Sequence, residues 1–144
     1  MLINISDYTI HLTENGRAAL MQLDYLSNRT SRVLFVISEE RKLLGTITDG
    51  DIRRGLLAGH EISEPVTQYM NKKFKSVFAH TLKHEEIRRF KEDSIDLLPV
   101  LKPDGTIQSI IDLKAHETII PASAFIMAGG RGERLRPLTD AVPK

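Results

Sequence analysis

The chain contains no cysteine, which excludes disulfides, thiolate metal sites and cysteine nucleophiles and fits a reducing compartment. An excess of either charge is lacking too: 20 Lys and Arg stand against 19 Asp and Glu, a formal net charge of +1. Bulk electrostatics therefore gives no support to binding of nucleic acid or a membrane surface. No stretch approaches the roughly 18 apolar residues of a membrane span. The start, Met1-Leu2-Ile3-Asn4-Ile5-Ser6-Asp7, lacks the basic and then apolar pattern of a secretion signal. The expectation is a soluble cytoplasmic chain in which the sequons at Asn4 and Asn28 stay unglycosylated. What is present is an ordinary globular composition, 41% hydrophobic over 144 residues.

The chain repeats itself. A shift of 64 positions lays Leu34-Phe35-Val36-Ile37 over Leu98-Pro99-Val100-Leu101, Leu43 over Ile107, Thr46-Ile47 over Ile110-Ile111, Leu23 over Ile87 and Leu26 over Phe90. Each copy reads as helix, strand, polar turn, strand and closing helix. In the first copy Ala19, Leu23 and Leu26 form an amphipathic stripe, and Val33 to Ile37 and Leu43 to Thr48 read as strands. Asp51 to Ala58 reads as a helix with Ile52 and Leu56 on one face, and Gly59 is its expected C-terminal cap. A unit of about 60 residues buries too little surface to stand alone comfortably, so two copies should share one domain. The expected boundaries are 1–64 for the first repeat, 65–120 for the second and 121–144 for a separate tail.

Gly45-Thr46-Ile47-Thr48-Asp49-Gly50-Asp51-Ile52, a strand ending in Thr-x-x-Asp with a helix following, resembles the signature of CBS (cystathionine β-synthase) domains. Leu98-Pro99-Val100 and the Val66-x-x-Tyr69-Met70 stretch resemble the same family. The resemblance implies an α/β (α+β) fold of two tandem CBS repeats, a regulatory module whose clefts bind adenosine or other purine nucleotides. The residues agree physically. A Thr hydroxyl and an Asp carboxylate beside the free N–H groups of a helix start can serve a phosphate and two ribose hydroxyls. Thr48 and Asp51 are thus candidate nucleotide-binding residues, and Arg53 and Arg54, one helical turn on, are candidates for a phosphate. Asp51 is equally an ordinary cap and dipole partner, and both readings stay open. Under the same shift Gly45, Thr48 and Asp51 become Ser109, Asp112 and Ala115, which removes the ribose acceptor and opposes a phosphate. At most one competent cleft is expected.

Ala124 to Ala128 reads as a buried strand running into Gly129-Gly130-Arg131-Gly132-Glu133-Arg134-Leu135-Arg136-Pro137-Leu138-Thr139, with Pro143-Lys144 after it. The glycine spacing is neither the dinucleotide fingerprint nor Walker A, yet a strand opening into glycines lets backbone approach a polyphosphate. The segment is similar to the N-terminal signature of sugar-1-phosphate nucleotidyltransferases of the mannose-1-phosphate guanylyltransferase-like kind. That resemblance implies the start of a Rossmann-like domain that transfers a nucleotidyl group from a nucleoside triphosphate to a sugar 1-phosphate with Mg²⁺. By position, Gly129, Gly130 and Gly132 would cradle the nucleotide, Arg134 would steady the triphosphate and Lys144 would contact the reacting phosphates. Because it stops at Lys144, the chain is expected to be an inactive N-terminal fragment of a longer enzyme, needing no Mg²⁺ itself.

His80, His84 and Glu85 have a spacing compatible with zinc, but a helix start with acidic residues in its first turn accounts for them, and no metal site is expected. The mixed charges of Arg88, Arg89, Lys91, Glu92 and Asp93 read as a solvated helix surface. A homodimer is expected, built on the apolar helix positions Ala19, Leu23, Leu26, Ile87 and Phe90. The competing reading makes the repeats a ligand-free dimerisation platform.

Overall fold

The computed structural model describes residues 3–29, 31–78 and 84–115. The nucleotidyltransferase-like segment, with Gly129, Gly130, Gly132, Arg134 and Lys144, lies outside them, as does His80; of His84 only the backbone is described. The first repeat runs β1 (Thr9–His11), α1 (Gly16–Tyr25), β2 (Val33–Ile37), β3 (Leu43–Thr48) and α2 (Asp49–Leu57). The second runs β4 (Val77–Phe78), α3 (His84–Glu92), β5 (Leu97–Leu101) and β6 (Ile107–Asp112). Each forms a three-stranded sheet, ordered β1-β2-β3 and β4-β5-β6, whose first strand is parallel and third antiparallel to the middle one.

The expected order of elements is corrected at the start of each repeat, where a short strand precedes the helix. Three and two residues are too few to display a period of two. In the second copy residues 113–115 after β6 are a turn, and the closing helix expected there falls on residues outside the described set.

The internal shift of 64 holds down to the hydrogen bonds. Val33 to Val36 pair with Thr48 to Gly45 as Leu97 to Val100 pair with Asp112 to Ser109, and both ladders break register after the fourth pair. Ser38 N–H donates to Lys42 and Arg41 N–H to Ser38; Lys102 N–H donates to Thr106 and Gly105 N–H to Lys102 in the same way. The left-handed position of this turn is Gly105 in the second copy (φ 85) and Arg41 in the first (φ 63). One difference has a covalent cause. Thr9 pairs with Phe35 in the first sheet, but β4 begins pairing only at Val100, one residue beyond Pro99, which has no N–H to donate.

Period-two alternation lets β5 serve two cores. Leu97 and Leu101 join Leu34, Phe35, Ile47 and Ala19, Leu23 and Leu26 of the first repeat. Leu98 and Val100 pack with Ile87 and Phe90 of α3. All five β5 residues are buried. The hairpin tips also meet, through Leu43 N–H to the Gly105 carbonyl at 3.0 Å.

Helix α2 departs from expectation in its buried face. Ile52 is buried, but Leu56 is 41% exposed and Leu57 82%. The covered stripe runs from Ile52 to Gly55, because a Cβ on Gly55 would strike the ring of Tyr69. The end of α2 is as expected: Gly59, at φ 97, donates to Leu56 and His60 donates back to Gly55, a Schellman termination.

Candidate functional site

A cleft of about 280 Å³ opens between the repeats. Its floor comes from alternate residues of three strands: Val33 and Phe35 on β2, Thr46 and Thr48 on β3, and Leu97 and Pro99 on β5. The segment joining the repeats supplies one wall with Asn71, Lys73, Phe74 and Lys75, and the turn Ser94-Ile95-Asp96 supplies another. The lining is therefore apolar at its base and polar at its rim, the composition of a site for a flat, partly apolar ligand with a charged end.

Thr48 sits where β3 hands over to α2, and it forms a reciprocal capping box with Asp51. The Asp51 Oδ2 accepts from the Thr48 N–H at 2.8 Å and from its hydroxyl at 2.7 Å, while the Thr48 Oγ1 accepts from the Asp51 N–H at 3.3 Å. The other carboxylate oxygen accepts from the Arg54 guanidinium at 2.5 Å. Two donors fill Oδ2 and one lone-pair site remains on Oδ1. Arg54 is 72% exposed at its side chain, so its withdrawal is cheap and would free a second site. The sequence candidates are thus divided. Thr48 lines the cleft between the repeats; Asp51 and Arg54 line an adjoining open groove with Tyr69, His60 and Asn71. Arg53 is exposed and lines neither.

That groove is braced by the linker. Tyr69 donates its hydroxyl to the Glu61 carbonyl and stacks edge-on to His60, at 5.9 Å between ring centres. Burial raises the Tyr69 phenol above its usual value, and the Glu64 and Glu61 carboxylates add to this. Glu64 is held below the usual carboxylate value, first by the Glu61 N–H and then by His60.

In the second repeat Asp112 stands at the place of Thr48. Asp112 Oδ1 accepts from the N–H groups of Lys114 and Ala115, both at 2.9 Å, so it caps the turn there as Thr48 caps α2. Tyr8 is buried, and Ile3 and Ile5 pack against the same core. Burial raises the Tyr8 phenol, the Arg29 cation opposes this, and Asp112 and Asp7 add to it.

Sequence reasoning missed Lys73, Phe74 and Lys75. The signal was the run Asn71-Lys72-Lys73-Phe74-Lys75, three lysines within five residues. Among the described residues no three His, Asp or Glu converge as metal ligands, and no helix is long and apolar enough to cross a membrane.

The CBS domain family model matches residues 8–58. The described residues have the fold of a CBS pair. Inosine-5'-monophosphate dehydrogenase of Aquifex aeolicus (strain VF5) is 30% identical over 80 residues, 55% of this chain, and the chain spans 16% of that relative's length. Among solved structures, the cystathionine β-synthase pair domain of a Mg²⁺ transporter from Shewanella oneidensis MR-1 superposes with a TM-score of 0.63 at 20% identity, over 74% of this chain and 60% of that one. The cytosolic domain of the Mg²⁺ channel MgtE, solved in complex with ATP, superposes with a TM-score of 0.62 at 19% identity, over 78% of this chain and 44% of that one.

Proposed function

We propose that the chain is a nucleotide-sensing regulatory module that takes one purine nucleotide in the cleft between its repeats. The observation that carries the reading is Thr48 in the floor of that cleft, capping α2 with the Asp51 carboxylate beside it. The N–H groups of the helix start that the capping box leaves open suit a phosphate oxygen. Asp51 accepts ribose hydroxyls once Arg54 swings aside, and Phe35, Ile95 and Pro99 offer the base an apolar seat. The ATP complex of the MgtE cytosolic domain supports the ligand class by analogy of fold.

The resemblance at Gly129, Gly130, Gly132, Arg134 and Lys144 supports the partner activity. In this reading the module adjusts a guanylyltransferase-like enzyme that joins a nucleoside triphosphate and a sugar 1-phosphate in the cytoplasm. The resemblance calls for Mg²⁺ in that reaction, and no described residue is assigned to it. Thermal melting with AMP, ATP, GTP and GDP tests the module: a ligand at 100 times its dissociation constant adds about 2.7 kcal/mol. No shift with any of them overturns the reading.

A second reading, a dimerisation platform, is favoured by a specific feature. The helix positions Ala19, Leu23, Leu26 and Ile87 are buried and Phe90 partly so, within the chain itself, which corrects the basis on which a homodimer was expected. The apolar surface left on α1 and α2 is Met21, Tyr25, Leu56 and Leu57. If these meet a second copy, Leu57→Glu turns a dimer into a 16.2 kDa monomer in sedimentation at tens of micromolar. A monomer before the substitution removes this reading.

A further inference from the structure

The cleft holds cations that the sequence candidates do not include. We infer that the anionic end of the ligand is gripped by Lys73 and Lys75 of the segment joining the repeats, and not by Arg53 or Arg54. The inference rests on the nucleotide reading of the cleft and names the residues that select for a phosphate chain.

Lys73 and Lys75 both line the cleft. Neither has an ion-pair partner among the described residues, whereas the nearby cations are committed. Arg54 is paired with Asp51 at 2.5 Å, Arg32 with Asp49 at 3.8 Å and Lys114 with Asp96 at 2.8 Å. Asp96, the carboxylate of the cleft wall, is thereby neutralised, and the rim keeps the two lysine charges uncompensated. Ammonium groups with three rotatable donors suit a phosphate chain whose oxygens point in several directions.

The lysines are also positioned. Asn71 is fastened to β3 by a pair of backbone bonds with Thr46, at 2.8 and 3.0 Å. Its side-chain oxygen then accepts from the Lys73 N–H at 2.9 Å, turning the chain at the cleft edge. Lys73 and Lys75 follow this anchor on either side of Phe74, which is half-buried in the wall. The nucleoside would lie on Phe35 and Pro99 while the phosphates run toward the linker.

Calorimetric titration of adenosine, ATP and inorganic tripolyphosphate decides the matter, with the unaltered chain, Lys73→Ala/Lys75→Ala and Arg53→Ala/Arg54→Ala compared. All four substituted side chains are exposed, so the fold should survive, and circular dichroism checks this. The expected result is tighter binding of ATP than of adenosine. The lysine variant should keep its adenosine affinity and lose about 10-fold or more for ATP, with tripolyphosphate binding lost, while the arginine variant keeps the preference for ATP. An ATP-to-adenosine ratio unchanged by the lysine substitutions, or abolished by the arginine ones, overturns the inference and leaves the nucleotide reading standing. Lysine-dependent tripolyphosphate binding without adenosine or ATP binding would overturn the nucleotide reading and keep the anion site. No binding of any probe overturns both.

Discussion

A Cβ added to Gly45 would lie 3.0 Å from the carbonyl oxygen of Asn71 and equally close to the Met70 sulfur. The missing side chain is what lets the linker lie against β3, close enough for the two backbone bonds between Asn71 and Thr46. Through that contact a strand glycine positions the wall of the cleft.

Gly45→Val should push the linker off β3 and cost about 1–3 kcal/mol in urea denaturation, the scale of overpacking, and it should weaken nucleotide binding as well. Ser109→Val, at the equivalent and exposed position of the second repeat, should change stability by no more than about 0.5 kcal/mol. Equal effects at the two positions would contradict the role given to Gly45.

Among the described residues, two other than glycine occupy the left-handed region, Arg41 and Ser94. Gly105 stands at the place of Arg41 in the second repeat, and Ser94 ends α3 as Gly59 ends α2: Ser94 donates to Lys91 and Ile95 donates to Phe90. Arg41→Gly and Ser94→Gly should each raise stability by about 0.5–1 kcal/mol, since the relief of a left-handed side chain exceeds the added chain entropy. A lower melting temperature in both variants would refute this. Ser94 lines the cleft, so nucleotide titration of its variant shows separately whether the hydroxyl takes part in binding.

Alkaline pH should lower the stability of the protein through its buried tyrosines. Tyr8 and Tyr69 both have phenols raised above the ordinary value of 10.0, chiefly by burial. The folded state thus favours the neutral form, so this contribution is fully present below about pH 10 and is lost as pH rises through the folded values. Melting temperature should hold up to about pH 10 and fall beyond it, less steeply in Tyr8→Phe. Identical slopes in the parent and the variant would exclude Tyr8 as a source.

Much of this was legible in the sequence where local chemistry and the repeat agreed. Val33 to Ile37, Leu43 to Thr48 and their copies are marked by β-branched and apolar runs, and Gly59 and Gly105 by the conformations they adopt. The first strands, Thr9–His11 and Val77–Phe78, were not legible, because pairing with a neighbour rather than any pattern of their own makes them strands. The outward turn of Leu56 was hidden for a similar reason: Tyr69, 14 residues beyond Gly55 in the sequence, decides which face of α2 is covered. At the site, Thr48 and Asp51 were readable as a pair. The lysines that line the cleft with Thr48 were not, since only the fastening of Asn71 to Thr46 brings the linker alongside β3.

A single nucleotide site, with Thr48 in the cleft and Asp51 in the groove beside it, is put to the test by calorimetric titration of the tightest ligand from the melting panel against the parent chain, Asp51→Ala and Asp112→Ala. The account predicts one site per chain, affinity weakened by about 1.5–3 kcal/mol in Asp51→Ala, and affinity unchanged or slightly tighter in Asp112→Ala. Two equal sites in the parent, or a loss of about 1 kcal/mol of stability in Asp51→Ala with affinity intact, would contradict it and leave Asp51 as a helix cap alone.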